Sequence, residues 1–145
     1  MFKRILLPTD GSELSSRAVL AGVSFAKEVG AEVIGMTVMP DFKTFTANAD
    51  MLESTEDEYL GASETRAGKY LSTIANAASS VGVECTTMLV RSDDPHEAIL
   101  RTARDHGCDL IIMASHGNKG IKALLLGSET HKVLVHSAIP VLVLR

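Results

Sequence analysis

Two runs near the carboxyl terminus hold the residues best suited to chemistry. The first is Met113-Ala114-Ser115-His116-Gly117-Asn118-Lys119-Gly120. The second is Gly127-Ser128-Glu129-Thr130, with nine residues separating Gly117 from Gly127. The chemistry they suit is anion binding. Glycines at the end of a parallel strand and at a helix start leave backbone N–H groups bare. The positive end of the helix reinforces them, and phosphate favours such a place. The apolar run Leu110 to Met113 supplies the strand, and Gly127-Ser128 opens a helical segment. A third run, Pro8-Thr9-Asp10-Gly11, closes the apolar stretch Ile5-Leu6-Leu7 with turn residues.

Each of these residues also has a plainer reading, and the residues alone leave both open. Asp-Gly after a strand is a common turn former, so Asp10 does more only where it faces a crevice. Isolated glycines punctuate helices. It is the joint spacing of Gly117 and Gly127 beside an apolar strand that favours phosphate. A lone turn histidine such as His116 is usually neither base nor ligand. Lys119 and Lys122 either steer phosphate or are simply solvated. Glu129 follows Ser128 directly, and an acid there repels phosphate unless it points away or helps to hold a cation. His96, His106, His131 and His136 show no metal-ligand spacing, and the methionines read as core filler.

The elements that must position these residues alternate along the chain. Ile5-Leu6-Leu7 reads as a first strand. Ser12 caps the helix after it, with Leu14, Ala18, Ala21, Phe25 and Val29 at helical spacing and Gly30 at its end. Glu32 to Met39 is a second strand. Asp41 to about Ser54 lacks periodicity and reads as a flexible loop, placed to act as a lid. A helix with Leu60, Ala67, Leu71, Ile74, Ala78 and Val81 along one stripe runs to Gly82, and Val83 to Val90 forms strand three. Asp94-Pro95-His96-Glu97 reads as a helix start, with Asp94 as N-cap, Pro95 at the first position and Glu97 as the capping-box partner. That helix ends near Gly107. Strand four follows, then a helix from about Ser128 to His136, and the strand Val141-Leu142-Val143-Leu144. Strands separated by helices imply parallel βαβ units and a doubly wound three-layer sandwich. Ligands of such sheets sit outside the carboxyl ends of the strands, where the winding reverses. Pro8 to Gly11 and Ala114 to Gly120 both fall at that edge.

Composition narrows the function classes. A chain of 145 residues, 46% hydrophobic and 22% charged, fits one globular domain with a real core. A formal charge of −4 argues against a sequence-independent nucleic-acid binder. No apolar run approaches the roughly 20 residues of a membrane span. Cys85 and Cys108 form no close pair and read as ordinary cytosolic thiols. The chain lacks Gly-x4-Gly-Lys-Ser/Thr, Gly-x-Gly-x2-Gly and Gly-x-Ser-x-Gly, and no general base stands beside a positioned nucleophile.

The chain resembles the universal stress protein family over essentially its whole length. The resemblance rests on Ile5-Leu6-Leu7-Pro8-Thr9-Asp10-Gly11-Ser12, Asp109-Leu110-Ile111-Ile112-Met113, Ser115-His116-Gly117, Leu124-Leu125-Leu126-Gly127-Ser128 and Ile139-Pro140-Val141-Leu142-Val143. It implies an α/β fold like that of adenine-nucleotide α-hydrolases, with a five-stranded parallel sheet in the order 3-2-1-4-5. The family's nucleotide-binding branch carries Gly-x2-Gly-x9-Gly-Ser/Thr, and this chain reads Ala114-x2-Gly117-x9-Gly127-Ser128. Ala114 adds a methyl group and loses easy access to positive φ. A loop that needs only room tolerates it; a loop that needs positive φ does not.

The resemblance implies that Pro8, Thr9, Asp10 and Val38 surround adenine and ribose. It places Met113, Ala114, Gly117, Gly127 and Ser128 around the phosphates. Ser115, His116, Asn118, Lys119, Gly120, Glu129 and Thr130 are the neighbouring backbone. Ser128 is also expected to approach a phosphate-bound Mg²⁺, and the last strand to pair two copies as a homodimer. The expected function is a cytoplasmic stress-response sensor or regulator that binds adenine nucleotide (ATP first, or ADP or AMP). It is not expected to be an enzyme beyond slow, incidental hydrolysis, nor to have nucleic-acid or membrane partners. On that reading a bulky charged residue at Gly127 removes binding and leaves the fold intact. The alternative is a homodimeric interaction module that binds no nucleotide.

Overall fold

Five short apolar runs pair into one all-parallel sheet in the computed structural model, which describes residues 1–41, 56–117 and 126–145. The strands are β1 (Arg4–Pro8), β2 (Glu32–Met39), β3 (Cys85–Arg91), β4 (Leu110–Ala114) and β5 (Val141–Leu144), in the order β3-β2-β1-β4-β5. The helices between them are α1 (Glu13–Val29), α2 (Glu56–Val81), α3 (Pro95–Asp105) and α4 (Ser128–His136). Sheet order and fold class agree with the sequence reading. Apart from Asp41, the expected loop to Ser54 lies outside the described residues, as do Asn118, Lys119, Gly120 and Lys122.

The central strands β1, β2 and β4 are buried on both faces, as strands covered by crossover helices must be, while β3 and β5 are only partly buried. On one face Ile5, Leu7, Val33, Leu110 and Ile112 pack with Val19, Val23 and Ala26 of α1 and Ile74 and Ala78 of α2. On the other, Leu6, Ile34, Met36, Ile111 and Met113 pack with Ala98, Ile99 and Ala103 of α3 and Val133 of α4. Alternate residues of each strand serve opposite cores. At the amino edge Arg4 pairs with Glu32 and donates to the His106 carbonyl at 2.6 Å. Asp109 accepts the Lys3 and Arg4 amides there, at 2.9 and 3.1 Å. No helix among the described residues is long and apolar enough to cross a membrane.

Three local expectations change. The buried stripe of α1 is Ser15, Ala18, Val19, Gly22, Val23 and Ala26, while Ala21 and Val29 are exposed. Small residues lie innermost because α1 rides close on β1: a methyl group at Gly22 would stand 2.5 Å from Leu7 Cδ2. β3 starts at Cys85, because the Val83 amide turns back to the Ala78 carbonyl at 2.9 Å and completes the exit of α2. Asp94 precedes α3 but makes no side-chain cap bond. Its own amide donates to Ser92 Oγ at 3.1 Å, which leaves Glu97 no capping-box partner there. The cap of Ser12 on α1 does form, accepting from the Ser15 amide at 3.2 Å.

Gly35 in β2 faces Ile74, whose Cδ1 and Cγ2 would lie 2.9 and 3.0 Å from a methyl group there. Gly35→Ala is expected to cost about 1–3 kcal/mol of stability as an overpacked core position. Ile74→Val in the same chain should recover part of that loss. Urea unfolding of both variants measures it, and equal midpoints for Gly35→Ala and the parent chain would refute the packing argument.

Candidate functional site

Parallel pairing sends the carboxyl ends of all five strands to one edge, and the winding reverses between β1 and β4. The chain leaves β1 through Pro8, Thr9 and Asp10. Pro8 is in register with Met36, and the Thr9 amide donates to the Met36 carbonyl at 2.8 Å. Thr9 is buried, its hydroxyl 3.0 Å from Ser15 Oγ and accepting the Gly11 amide at 3.2 Å. Asp10 Oδ1 accepts the Ser12 amide at 3.0 Å. Gly11 has a φ of 78°, and a side chain there would overlap the Tyr70 ring of α2. Thr9 and Gly11 therefore fix the turn, and Asp10 stays half-buried at its tip.

On the β4 side the same edge is laced to α4. The Ser115 amide donates to the Leu144 carbonyl at 2.7 Å. The Ser115 carbonyl accepts the Gly127 amide at 2.7 Å, and the Ala114 carbonyl accepts the Thr130 hydroxyl at 2.9 Å. Ser115 Oγ lies 3.2 Å from His116 Nδ1. A methyl group at Gly117 would overlap Asp10 Oδ2, so the two edge loops, remote in sequence, meet there. A methyl group at Gly127 would stand 3.0 Å from His116 Cα and 3.1 Å from the Ser115 carbonyl oxygen. Among the described glycines positive φ occurs at Gly11, Gly30, Gly82 and Gly107, not at Gly117 or Gly127. Both site glycines thus serve close approach rather than an unusual backbone.

Ala114 is the last residue of β4, paired with Leu144 and buried in extended backbone. Its position asks for no positive φ, so a methyl group fits. Met113 and Val38 lie on the α3/α4 face: Met113 is buried in that core and Val38 is packed against it. The Gly127 amide is engaged by Ser115. The first intrahelical backbone bond of α4 runs from the His131 amide to the Gly127 carbonyl at 2.9 Å. The amides of Ser128, Glu129 and Thr130 therefore point out of the first turn without intrahelical partners, where the helix dipole is positive. Ser128 is exposed, and Thr130 is buried. The Glu129 carboxylate turns to α3, accepting the His96 amide at 2.9 Å.

Arg91, at the end of β3, gave no sequence signal because a lone arginine at a strand end has none. Its Nη2 donates to the fully buried Ser63 Oγ at 3.0 Å. Among the described residues Arg91 Nη1 and Thr37 Oγ1 are buried without hydrogen-bond partners. Among the described residues no three His, Cys, Asp or Glu side chains gather to hold a metal. Burial pushes the Cys108 thiol up to about 11, opposed by Arg4 and reinforced by Asp109 and Glu32. It lies on the α3 side, away from this edge.

A doubly wound α/β protein that brings an acid and a helix start together at its switch point is the class that fold and site define. The universal stress protein family model matches residues 1–145, and the chain belongs to that family. It is 33% identical over 149 residues to universal stress protein YxiE of Bacillus subtilis, covering all of both chains. It is also 33% identical over 156 residues to universal stress protein MJ0577 of Methanocaldococcus jannaschii, covering all of this chain and 96% of that one. The solved structure of MJ0577 superposes with a TM-score of 0.83, covering 99% of this chain and 96% of the other. Two structures share the fold at lower identity. One is a universal stress protein in complex with cAMP, at 21% identity and a TM-score of 0.73, covering 99% and 97% of the two chains. The other is an Archaeoglobus fulgidus universal stress protein in complex with dAMP, at 16% and 0.68, covering 100% and 98%.

The two site glycines should respond differently to a methyl group. Gly117→Ala meets the Asp10 side chain, whose carboxylate would have to give up the Ser12 amide, so stability should fall by about 0.5–1.5 kcal/mol, the worth of one hydrogen bond. Gly127→Ala meets the backbone of Ser115 and His116 and should cost about 1–3 kcal/mol. The expectation that position 127 can be filled without touching the fold is thereby corrected. Equal unfolding midpoints for the two variants would contradict this ordering.

Proposed function

We propose that this protein binds an adenine nucleotide, ATP foremost, in the crevice between the ends of β1 and β4, and acts as a regulator rather than as an enzyme. The observation that carries the reading is the meeting of Asp10 with Gly117 at the switch point, beside the open first turn of α4. The two walls sort the ends of a nucleotide. A carboxylate accepts hydrogen bonds from ribose hydroxyls or from the amino group of adenine, and it repels phosphate. The Ser128, Glu129 and Thr130 amides suit the phosphates. Half-buried Val38 offers apolar surface near the adenine end, whereas Pro8 is buried. The cAMP and dAMP of the two ligand-bound relatives are both adenine nucleotides with one phosphate group, the moieties these walls distinguish.

Mg²⁺ would arrive with the phosphates. The exposed Ser128 hydroxyl is a hard oxygen donor suited to it, with phosphate oxygens and water completing the shell. The chain's own residues hold and orient the ligand. Among the described residues no nucleophile is paired with a base, and the turnover proposed is slow and incidental. Occupancy of the crevice, read by other cytoplasmic proteins under stress, is the proposed output. The extended Ala114 and the Glu129 carboxylate turned toward α3 favour this reading over a dimer module without ligand.

β5 is the proposed homodimer contact. It lies last in the sheet order, and Leu142 is 40% exposed. Leu134 and Val135 of α4, 40% and 60% exposed, extend the apolar surface. A bare apolar edge recruits another strand, and pairing across a two-fold axis closes the assembly. Val143→Lys is expected to shift the protein from dimer to monomer in sedimentation at micromolar concentration. A parent chain that is monomeric there would end the dimer proposal.

ATP with Mg²⁺ at about 100 times its dissociation constant should add about 2.7 kcal/mol of stability by mass action. For a chain of this size that is a rise of roughly 5–10 °C in melting temperature. Ser128→Ala should weaken binding by about 1.5–3 kcal/mol if its hydroxyl meets charged phosphate. Ala114→Gly should change affinity little, because the strand backbone holds either residue. If calorimetry finds no ATP, ADP or AMP bound by the parent chain but binding by Ala114→Gly, the nucleotide function is absent here and the interaction module takes its place.

A further inference from the structure

Glu129 does two things at once. Its backbone belongs to the first turn of α4, and its side chain reaches a different helix. Oε2 accepts the His96 amide at 2.9 Å and stands 3.3 Å from His96 Nδ1, while Oε1 lies 3.3 Å from Lys132 Nζ. His96 is the second residue of α3, and its amide is one that an N-cap side chain would ordinarily take. Asp94 does not take it. The carboxylate of a neighbouring helix therefore caps α3, with a charge-assisted bond at the helix's positive end.

We propose that Glu129 is a positioning residue for the anion-binding turn. The clasp to α3 fixes the angle at which the Ser128, Glu129 and Thr130 amides face the crevice. It also holds the one carboxylate of that turn away from the space that phosphate would enter. The acid that reads in sequence as an obstacle to phosphate thus supports it. The inference rests on the nucleotide reading only for the identity of the anion. Its structural claim is that side-chain capping of α3 and anion binding at α4 are coupled.

The test compares Glu129→Ala, which removes the clasp and the charge, with Glu129→Gln, which removes the charge but keeps an oxygen to accept the His96 amide. ATP, adenosine and tripolyphosphate are titrated calorimetrically into the parent chain and both variants. Glu129→Ala should weaken ATP and tripolyphosphate about tenfold, the scale of one charge-assisted hydrogen bond. Glu129→Gln should recover most of that loss, and adenosine should bind all three proteins within about twofold, since it makes no use of the turn. Amide exchange at His96 should quicken in Glu129→Ala and not in Glu129→Gln.

If Glu129 merely repels phosphate, both variants bind ATP more tightly than the parent, and the proposal is overturned. A weakening of adenosine equal to that of ATP marks general loss of structure and overturns it as well. Clasp-dependent binding of tripolyphosphate without binding of ATP or adenosine supports the positioning role while ending the nucleotide reading. Absence of binding by all three ligands to the parent chain ends both.

Discussion

Parallel pairing between β1 and β4 is the constraint on which the rest of the structure depends. A parallel neighbour can be reached only by a crossover, so each strand hands the chain to a helix that returns it to the starting edge. Every strand then ends, and every following helix begins, at the same edge. The register of β1 with β4, Ile5 to Leu110 and Leu6 to Ile111, brings Asp10 and Gly117 to one place although more than a hundred residues separate them. The two cores on either face hold that register against slippage, because a shift of one residue would turn Leu6 and Ile111 out of one core and into the other.

The electrostatics of the edge follow from this geometry. Helix starts gather there, and each carries partial positive charge on its unpaired amides. The protein answers them in different ways. At α1 the Ser12 hydroxyl takes the Ser15 amide, and Asp10 takes the Ser12 amide. At α3 the Glu129 carboxylate takes the His96 amide. At α4 the cap residue is Gly127, which has no side chain to offer, and no side-chain cap bond forms. Of these three described helix starts, that of α4 has no side-chain cap bond, and it lies beside the His116–Gly117 turn that meets Asp10.

The architecture was legible in the sequence because it rests on contrasts that a parallel sheet enforces. Apolar runs such as Leu110 to Met113 must be continuous to be buried on both faces, and helices between them must show their own period. Sheet order came from the family resemblance, since spacing alone does not determine it. Details that depend on how closely two backbones approach were not legible. The α1 stripe was placed one position off because Leu14 and Phe25 draw attention in sequence, whereas Gly22 and Ser15 lie against the sheet. The capping box at Asp94 was a sound local inference that a distant carboxylate overrode. Nothing in the spacing of Glu129 and His96 announces a contact made through the packing of two helices.

The candidate site was readable as a pattern of small residues but not as a division of labour. In sequence Gly117 and Gly127 read as residues that bare amides, and the structure gives them another task. Gly117 makes room for Asp10, and Gly127 makes room for the backbone of Ser115 and His116 while giving its own amide to Ser115. The amides left pointing outward belong to Ser128, Glu129 and Thr130, whose side chains carry little of the signal. This explains why Ala114 is compatible with a site of this kind. Position 114 pairs within the sheet, where an extended residue of any small size serves. Close approach is required at 117 and 127, and those are the positions where glycine is kept. A binding edge built from backbone groups is specified by where side chains are absent, so its chemistry is written in spacing and packing more than in residue type.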